Sequence, residues 1–333
     1  MKRIVIGISL VLLVAGASLS PGRAQNSANA TANPSEQPPT HDWAAGNPLK
    51  IALLKWYQAN SWTTSFAVGK TQNSNPYGLA FDGANIWTAN SEGTVTKLRA
   101  SDGANLGNFE VSGLPTGIAF DGANMWVTDN SPNGGVTKLR ASDGKVLGTF
   151  PVGGQYPFWL AFDGENIWVA NSAGVTKLRA SDGKDLGTFN VGNGAFGVAF
   201  DGTYVWATGG PNLVTKLKRD GSSAGQFQVG RAPYGIAFDG ANIWVAISAG
   251  QVSKLRASDG KTVGTFNVPC CPYGLAFDGS NIWVALDGGL VELRASDGEM
   301  LGNFPANPGS TGVAFDGANI WVALGLGHAV IKF

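Results

Sequence analysis

The chain has few residues able to do chemistry at neutral pH, and they are scattered. There are two histidines, His41 and His328, and two cysteines, the adjacent pair Cys270-Cys271. Histidine is the usual neutral-pH acid or base. His41 lies in a stretch rich in Asn, Ser and Pro, so such chemistry would fall on His328. A metal-assisted site would pair His328 with Asp129 or Asp287. A Ser-His-Asp triad would also have to use His328, but no serine sits in a recognisable nucleophile turn. Gly-x-Ser-x-Gly, His-Glu-x-x-His and phosphate-binding glycine loops are absent from the sequence. The cysteine pair leaves three readings open: a vicinal disulfide, two thiols, or a soft-metal site. Neighbouring Cα atoms lie about 3.8 Å apart, where ordinary disulfides want at least about 4.4 Å, so a bridge here would be a strained one. Two sulfurs without a nearby histidine make a poor metal site.

Binding chemistry is better represented. The run Tyr156-Pro157-Phe158-Trp159 places tryptophan where six related positions hold glycine: Gly78, Gly117, Gly197, Gly235, Gly274 and Gly312. An aromatic ring there is either a wall for a ligand or a plug that fills space. Asn90, Asp129, Asn130 and Asn171 form a polar set, opposed by the apolar set Ile247, Leu286 and Leu324. One polar side facing one apolar side suits a ligand pocket, and Asn and Asp equally suit the closing of turns. The candidate binding residues are therefore Trp159, Tyr156, Phe158, Asn90, Asp129, Asn130 and Asn171. They do not repeat from unit to unit, which points to one composite site rather than many equal ones.

The elements that must position these residues come from an internal repeat. Phe-Asp-Gly begins at Phe81, Phe120, Phe162, Phe200, Phe238, Phe277 and Phe315, and a tryptophan follows each: Trp87, Trp126, Trp168, Trp206, Trp244, Trp283 and Trp321. The unit PYGIAFDGANIWVAISAGQVSKLRASDGKTVGTFNV parses into four short strands, with Asp-Gly turns between apolar runs. Four strands in about forty residues is one propeller blade. The final unit stops at Val330-Ile331-Lys332-Phe333, which matches a third strand, and its missing fourth strand is found at Thr64–Gly69. The fold predicted is all-β: a seven-bladed β-propeller of four-stranded antiparallel blades, the last closed by the N-terminal strand, which removes an open sheet edge. The repeated tryptophans are read as packing between blades, and Arg-Ala-Ser-Asp-Gly as a structural turn.

Composition agrees with this. Charged residues make up 14% of the chain and glycine has 48 copies, as many short strands joined by tight turns require. The net charge is zero, with no basic block, so nucleic acid is not an expected partner. Lys2 and Arg3, the apolar run Ile4 to Ala17 and Gly22-Arg23-Ala24 read as a secretory signal cleaved after Ala24. The expected organisation is a signal peptide at 1–24, a disordered linker at 25–47 and the propeller at 48–333. A periplasmic or secreted monomer with no membrane span after signal removal follows. The partner would be a protein, glycan or small molecule; no cofactor is expected beyond a divalent metal in the alternative below.

AFDGENIWVAN followed by VTKLRASDG resembles the repeats of the bacterial seven-bladed propellers of the YncE-like and streptogramin-lyase-like superfamily, to which NHL-repeat proteins are related. The resemblance spans residues 64–333 and implies the propeller fold. Its lyases combine a histidine with Mg²⁺ held by acidic loop residues, typically a glutamate three residues after the blade tryptophan. Here that register reads Asn90, Asp129, Asn171, Gly209, Ile247, Leu286 and Leu324. Related calcium lactonases imply oxygen ligands such as Asn90, Asp129 and Asn171 could supply, though no glutamate accompanies them. The function expected is an exported binding or scaffold propeller, with a metal-assisted lyase or lactonase using His328 and Asp129 or Asp287 as the alternative.

Overall fold

The structure, a computed structural model, describes residues 64–71, 74–306 and 309–333. The expected signal peptide, the linker and residues 48–63 lie outside the described residues. Within them the chain forms seven four-stranded antiparallel sheets arranged as blades of a ring, without a helix.

Each blade is built by the same local device. In the fifth, Asp239 ends the inner strand Pro233–Phe238. Its Oδ1 accepts the backbone N–H groups of Ala241 and Asn242 at 2.8 and 2.6 Å, and its Oδ2 accepts the Trp244 indole N–H at 2.7 Å. Gly240 completes the turn at φ +97°, a conformation that L side chains rarely adopt. One carboxylate thus closes the turn and aims the tryptophan. All seven blades repeat the carboxylate–indole bond.

The tryptophans then fill the space between blades. Trp87, Ala89 and Val95 of the first blade share a cluster with Ile118, Met125, Val127 and Leu139 of the second. Each blade tryptophan also packs on a phenylalanine of its own outer strand, as Trp244 does on Phe266 at 5.5 Å between ring centres. That phenylalanine lies over the glycine in the next blade's turn: a Cβ on Gly298 would stand 2.1 Å from the Phe266 ring. The Ser-Asp-Gly glycine is therefore required by close approach as well as by its φ of +79°.

A lysine adds a strap between neighbouring blades. Lys254 Nζ lies 5.0 Å from the centre of the Trp244 ring and donates to Ala295 O of the next blade at 2.6 Å. The same bond runs from Lys97 to Ala141, Lys138 to Ala180, Lys177 to Arg219, Lys216 to Ala257 and Lys332 to Ala100. The sixth blade is the exception and carries Glu292 at that position. Its neighbour, the seventh blade, takes its third and fourth strands from distant parts of the chain, so no turn is there to receive a strap. Phe333 stands there instead, 5.4 Å from Trp283 and 4.7 Å from Phe304. Trp283 is correspondingly the one blade tryptophan that keeps some exposure, 6%. Burial, with Asp278 nearby, pushes the Glu292 carboxyl up, and Asn281 Nδ2 donates to it at 2.7 Å.

In the seventh sheet the order is Thr64–Ala67, Ala329–Lys332, Ile320–Leu324, Ser310–Phe315. Thr64 is opposite Lys332 and Ala67 opposite Ala329. Phe66 lies 5.4 Å from Trp321, in the place the outer-strand phenylalanines take in the other blades.

Candidate functional site

Antiparallel order puts both kinds of Asp-Gly turn on one face of the ring, and these are nearly invariant along the chain. The opposite face carries the loops between second and third strands and the crossings from blade to blade, where the repeats diverge. On that face the inner strands open with a residue pair: Tyr77-Gly78, Thr116-Gly117, Phe158-Trp159, Phe196-Gly197, Tyr234-Gly235, Tyr273-Gly274 and Thr311-Gly312. The glycines permit close approach of neighbouring inner strands. A Cβ on Gly235 would lie 2.0 Å from Tyr273 O, and one on Gly312 would lie 2.1 Å from Tyr77 O.

Tyr77, Phe158, Tyr234, Tyr273 and Thr311 line the mouth of the central channel, and five of the seven first residues of these pairs are aromatic. They meet in series: Phe158 and Phe196 at 6.0 Å, Phe196 and Tyr234 at 5.0 Å, Tyr234 and Tyr273 at 5.7 Å between ring centres. Edge-to-face and tilted packing of this kind is the favoured geometry for aromatic pairs.

Trp159 breaks the glycine pattern and the strand with it. Its inner strand is Leu160–Phe162, three residues where the other six blades have six. A Cβ at this position cannot approach the next blade as glycine does. Trp159 instead donates its N–H to Phe196 O at 3.2 Å. Elsewhere a threonine does this bridging: Thr208 Oγ1 takes the Gly197 N–H at 2.7 Å and donates to Tyr234 O at 2.8 Å. The Trp159 ring crosses the channel towards the first blade, where a Cβ on Gly78 would be 3.2 Å from it. The ring borders two cavities. One, of about 160 Å³, lies within the channel among Leu79, Ile118, Leu160, Val198 and Ile236. The other, of about 310 Å³, opens at the mouth.

The mouth cavity is lined by Tyr77, Phe158, Trp159, Tyr234, Tyr273 and Leu326, with Asp287, Ser310 and Thr311 as its polar side chains apart from the phenols. The Tyr273 hydroxyl is pushed up first by burial, then by Asp287 and by Tyr234 and Tyr77. The phenols and the one carboxylate therefore share a small volume. Ser310 is 1% exposed and its Oγ has no hydrogen-bond partner. Thr311 Oγ1 donates to Pro76 O at 2.9 Å, which ties the seventh blade to the first.

The cysteine pair flanks this cavity. Cys270 and Cys271 are joined, with sulfurs 2.09 Å apart and Cα atoms 3.7 Å apart. Cys271 adopts φ +66° just before Pro272, as Tyr156 and Ala232, each at +52°, do before Pro157 and Pro233. The Asp287 N–H donates to Cys271 O at 3.3 Å, so the cysteine loop holds the backbone of the cavity's carboxylate residue.

The structure gathers some of the residues singled out by sequence and disperses others. Phe158 and Trp159 line the mouth cavity, and Asp287 does so from the set assigned to the alternative. Tyr156 is 48% exposed outside that lining, with its N–H donating to Ser131 O. Asn90 and Asn171 are wholly buried in their own blades. Asn90 Nδ2 donates to Thr94 and Thr96, and Asn171 Nδ2 donates to Thr176 Oγ1 at 2.8 Å. Asp129 Oδ1 accepts the Leu114 N–H at 2.8 Å, and Asn130 Nδ2 donates to Pro157 O at 3.2 Å. These four brace loops and do not line the cavity. His328 Nδ1 is 3.1 Å from Ser74 O, so His328, Asp129 and Asp287 are not brought together on the cavity. Among the described residues no group of three or more His, Cys, Asp or Glu is placed to hold a metal ion.

Tyr77, Tyr234, Tyr273 and Ser310 are site residues that the loop variations did not indicate. The signal for the tyrosines lay in the repeat itself, as an aromatic residue recurring immediately before the inner-strand glycine.

No family model and no curated protein matches the chain. Among solved structures it is similar to the hydrazine synthase of Kuenenia stuttgartiensis, with a TM-score of 0.68 and 16% identity, over 80% of this chain and 97% of that one. At such identity the likeness is one of fold, the β-propeller, and chemistry does not travel with it.

Proposed function

We propose that this chain is a binding propeller whose single composite site is the aromatic-collared cavity at the channel mouth. The observation that carries the reading is Trp159. It interrupts an inner strand, forgoes the glycine used by every other blade, and forms a partition between the mouth cavity and the channel. A cavity of about 310 Å³ walled by aromatic rings, with a few convergent polar groups, has the size and character of a small-ligand site. The occupant is a small molecule, or one side chain of a larger partner reaching into the mouth. The pattern at 1–24 and the joined cysteines favour a periplasmic or secreted setting, where a disulfide persists. The likeness of the repeats to the YncE-like superfamily fits the same reading.

The test is a thermal-shift screen of the protein against metabolites, sugars and divalent metals. A ligand that binds only the folded state at a hundred times its Kd stabilises it by about 2.7 kcal/mol. Hits that shift the wild type and not Trp159→Gly support the mouth site. Hits that shift both equally place binding elsewhere and refute it.

A further inference from the structure

Resting on that reading, we infer that the mouth cavity selects an organic cation: an ammonium or quaternary ammonium group on a small, largely apolar body. The argument is one of charge and surface. Tyr77, Phe158, Trp159, Tyr234 and Tyr273 supply rings around the cavity, and Asp287 supplies its one ionisable carboxylate. Among the described residues no lysine, arginine or histidine lines it. Ring faces carry negative quadrupole potential, so aromatic walls favour a cation that sheds part of its water, and quaternary ammonium ligands are the clearest instance of such recognition. The Asp287 carboxylate, exposed at the rim of the cavity, acts in the same direction. An anionic ligand would meet Asp287 and the ring faces with nothing to offset them. A sugar would need several fixed polar partners, whereas Thr311 Oγ1 is already committed to Pro76 O.

Two further observations agree. Ser310 Oγ, buried and without a partner, leaves one hydrogen-bonding position for the ligand's own hydroxyl or N–H. Elsewhere in this fold the same pairing of cation and ring is used repeatedly. Lys97, Lys138 and Lys254 place Nζ at 4.9, 4.9 and 5.0 Å from the centres of Trp87, Trp126 and Trp244. Those tryptophans are covered by the protein's own cations. The rings of the mouth have no such cover among the described residues.

The experiment titrates the full chain with choline and with its uncharged tert-butyl isostere, dimethylbutanol, by calorimetry at low and physiological salt. The two probes match in shape and differ in charge, so their ratio reads the cation preference. Choline should bind at least about tenfold more tightly than the isostere. Asp287→Asn should weaken choline by about tenfold and leave the isostere within about twofold. Tyr234→Leu, which removes a ring and no charge, should also narrow the ratio, and circular dichroism checks that both variants fold. Equal binding of the two probes, with both lost in Trp159→Gly, overturns the cation inference and keeps the mouth site. Saturable binding of neither probe overturns the cation inference together with the small-ligand reading.

Discussion

Replacing Trp159 by glycine restores the residue that the other six blades carry, and so separates what this side chain does for the fold from what it does for the mouth. A tryptophan buries about 150–250 Å² when enclosed, at about 25 cal/mol per Å². Trp159 is half-buried, so its removal should cost about 2 kcal/mol, a figure that glycine's freedom to let the third and fourth blades approach will reduce. In a domain of this size that corresponds to a fall in Tm of about 3–4 °C. The effect on the site is separate. The partition between cavities of about 310 and 160 Å³ disappears, and the mouth becomes continuous with the channel. Loss of one aromatic wall should weaken a ligand by about 1–2 kcal/mol, or about 5–30-fold. Differential scanning calorimetry gives the first quantity and isothermal titration with a screened ligand gives the second. A variant that is more stable than wild type while binding unchanged would show that Trp159 neither walls a site nor fills space usefully, and would refute the reasoning.

Four other perturbations test the frame around the site. At Glu92 burial opposes ionisation, and hydrogen bonds from Ser74, Thr71, Lys70 and Thr94 override it, lowering the carboxyl from 4.5 to about 2. A lowered acid contributes stability above its unfolded value and loses it as pH falls from 4.5 towards about 2. Glu92→Gln should therefore lower stability at pH 7 by about 1 kcal/mol after screening, and flatten the acid limb of the denaturation curve. Glu292 is the opposite case: its carboxyl is raised, so charge is a burden at neutral pH, and Glu292→Gln should raise the urea midpoint slightly at pH 7, with the gain vanishing once acid protonates the wild type. Lys138→Met keeps the stem against Trp126 but removes the bond to Ala180 O, and should cost about 1–3 kcal/mol in chemical denaturation. Deleting residues 48–69 leaves Ala329–Lys332 as an open edge, and should produce aggregation in size-exclusion chromatography; a monomeric truncation of unchanged Tm would refute the proposed closure.

The fold was legible because its devices are local. The Asp-Gly turn and the indole five residues beyond the aspartate are set by short-range geometry, and a chain that repeats them shows the blade directly. The place of Trp159 was legible for the same reason, since it departs from a glycine whose need is steric. The asparagines were not. At the end of a second strand the side chain can turn towards the channel or back onto its neighbour, and Asn90 turns to Thr96, a choice made by a hydroxyl six residues away that no period announces. The tyrosines went unseen for a different reason: recurrence in a repeat usually means packing, and Tyr77, Tyr234 and Tyr273 recur because each inner strand brings the same position to one ring. Only closure of the circle makes seven equivalent positions into a collar.

The missing strap has a mechanical consequence. Six joints of the ring are held by a lysine reaching the next blade's backbone, and the joint between the sixth and seventh blades carries Phe333 against Trp283 and Phe304 where that bond would be. Tyr273 and Asp287 lie on one side of this joint, and Ser310, Thr311 and Leu326 lie on the other, all lining the mouth cavity. An occupant therefore spans the one joint without a lysine strap among the described residues and acts as a splint across it. Amide exchange near that joint should slow on loading more than anywhere else in the ring, so the seam without a strap would make the propeller's stiffness a readout of whether the mouth is filled.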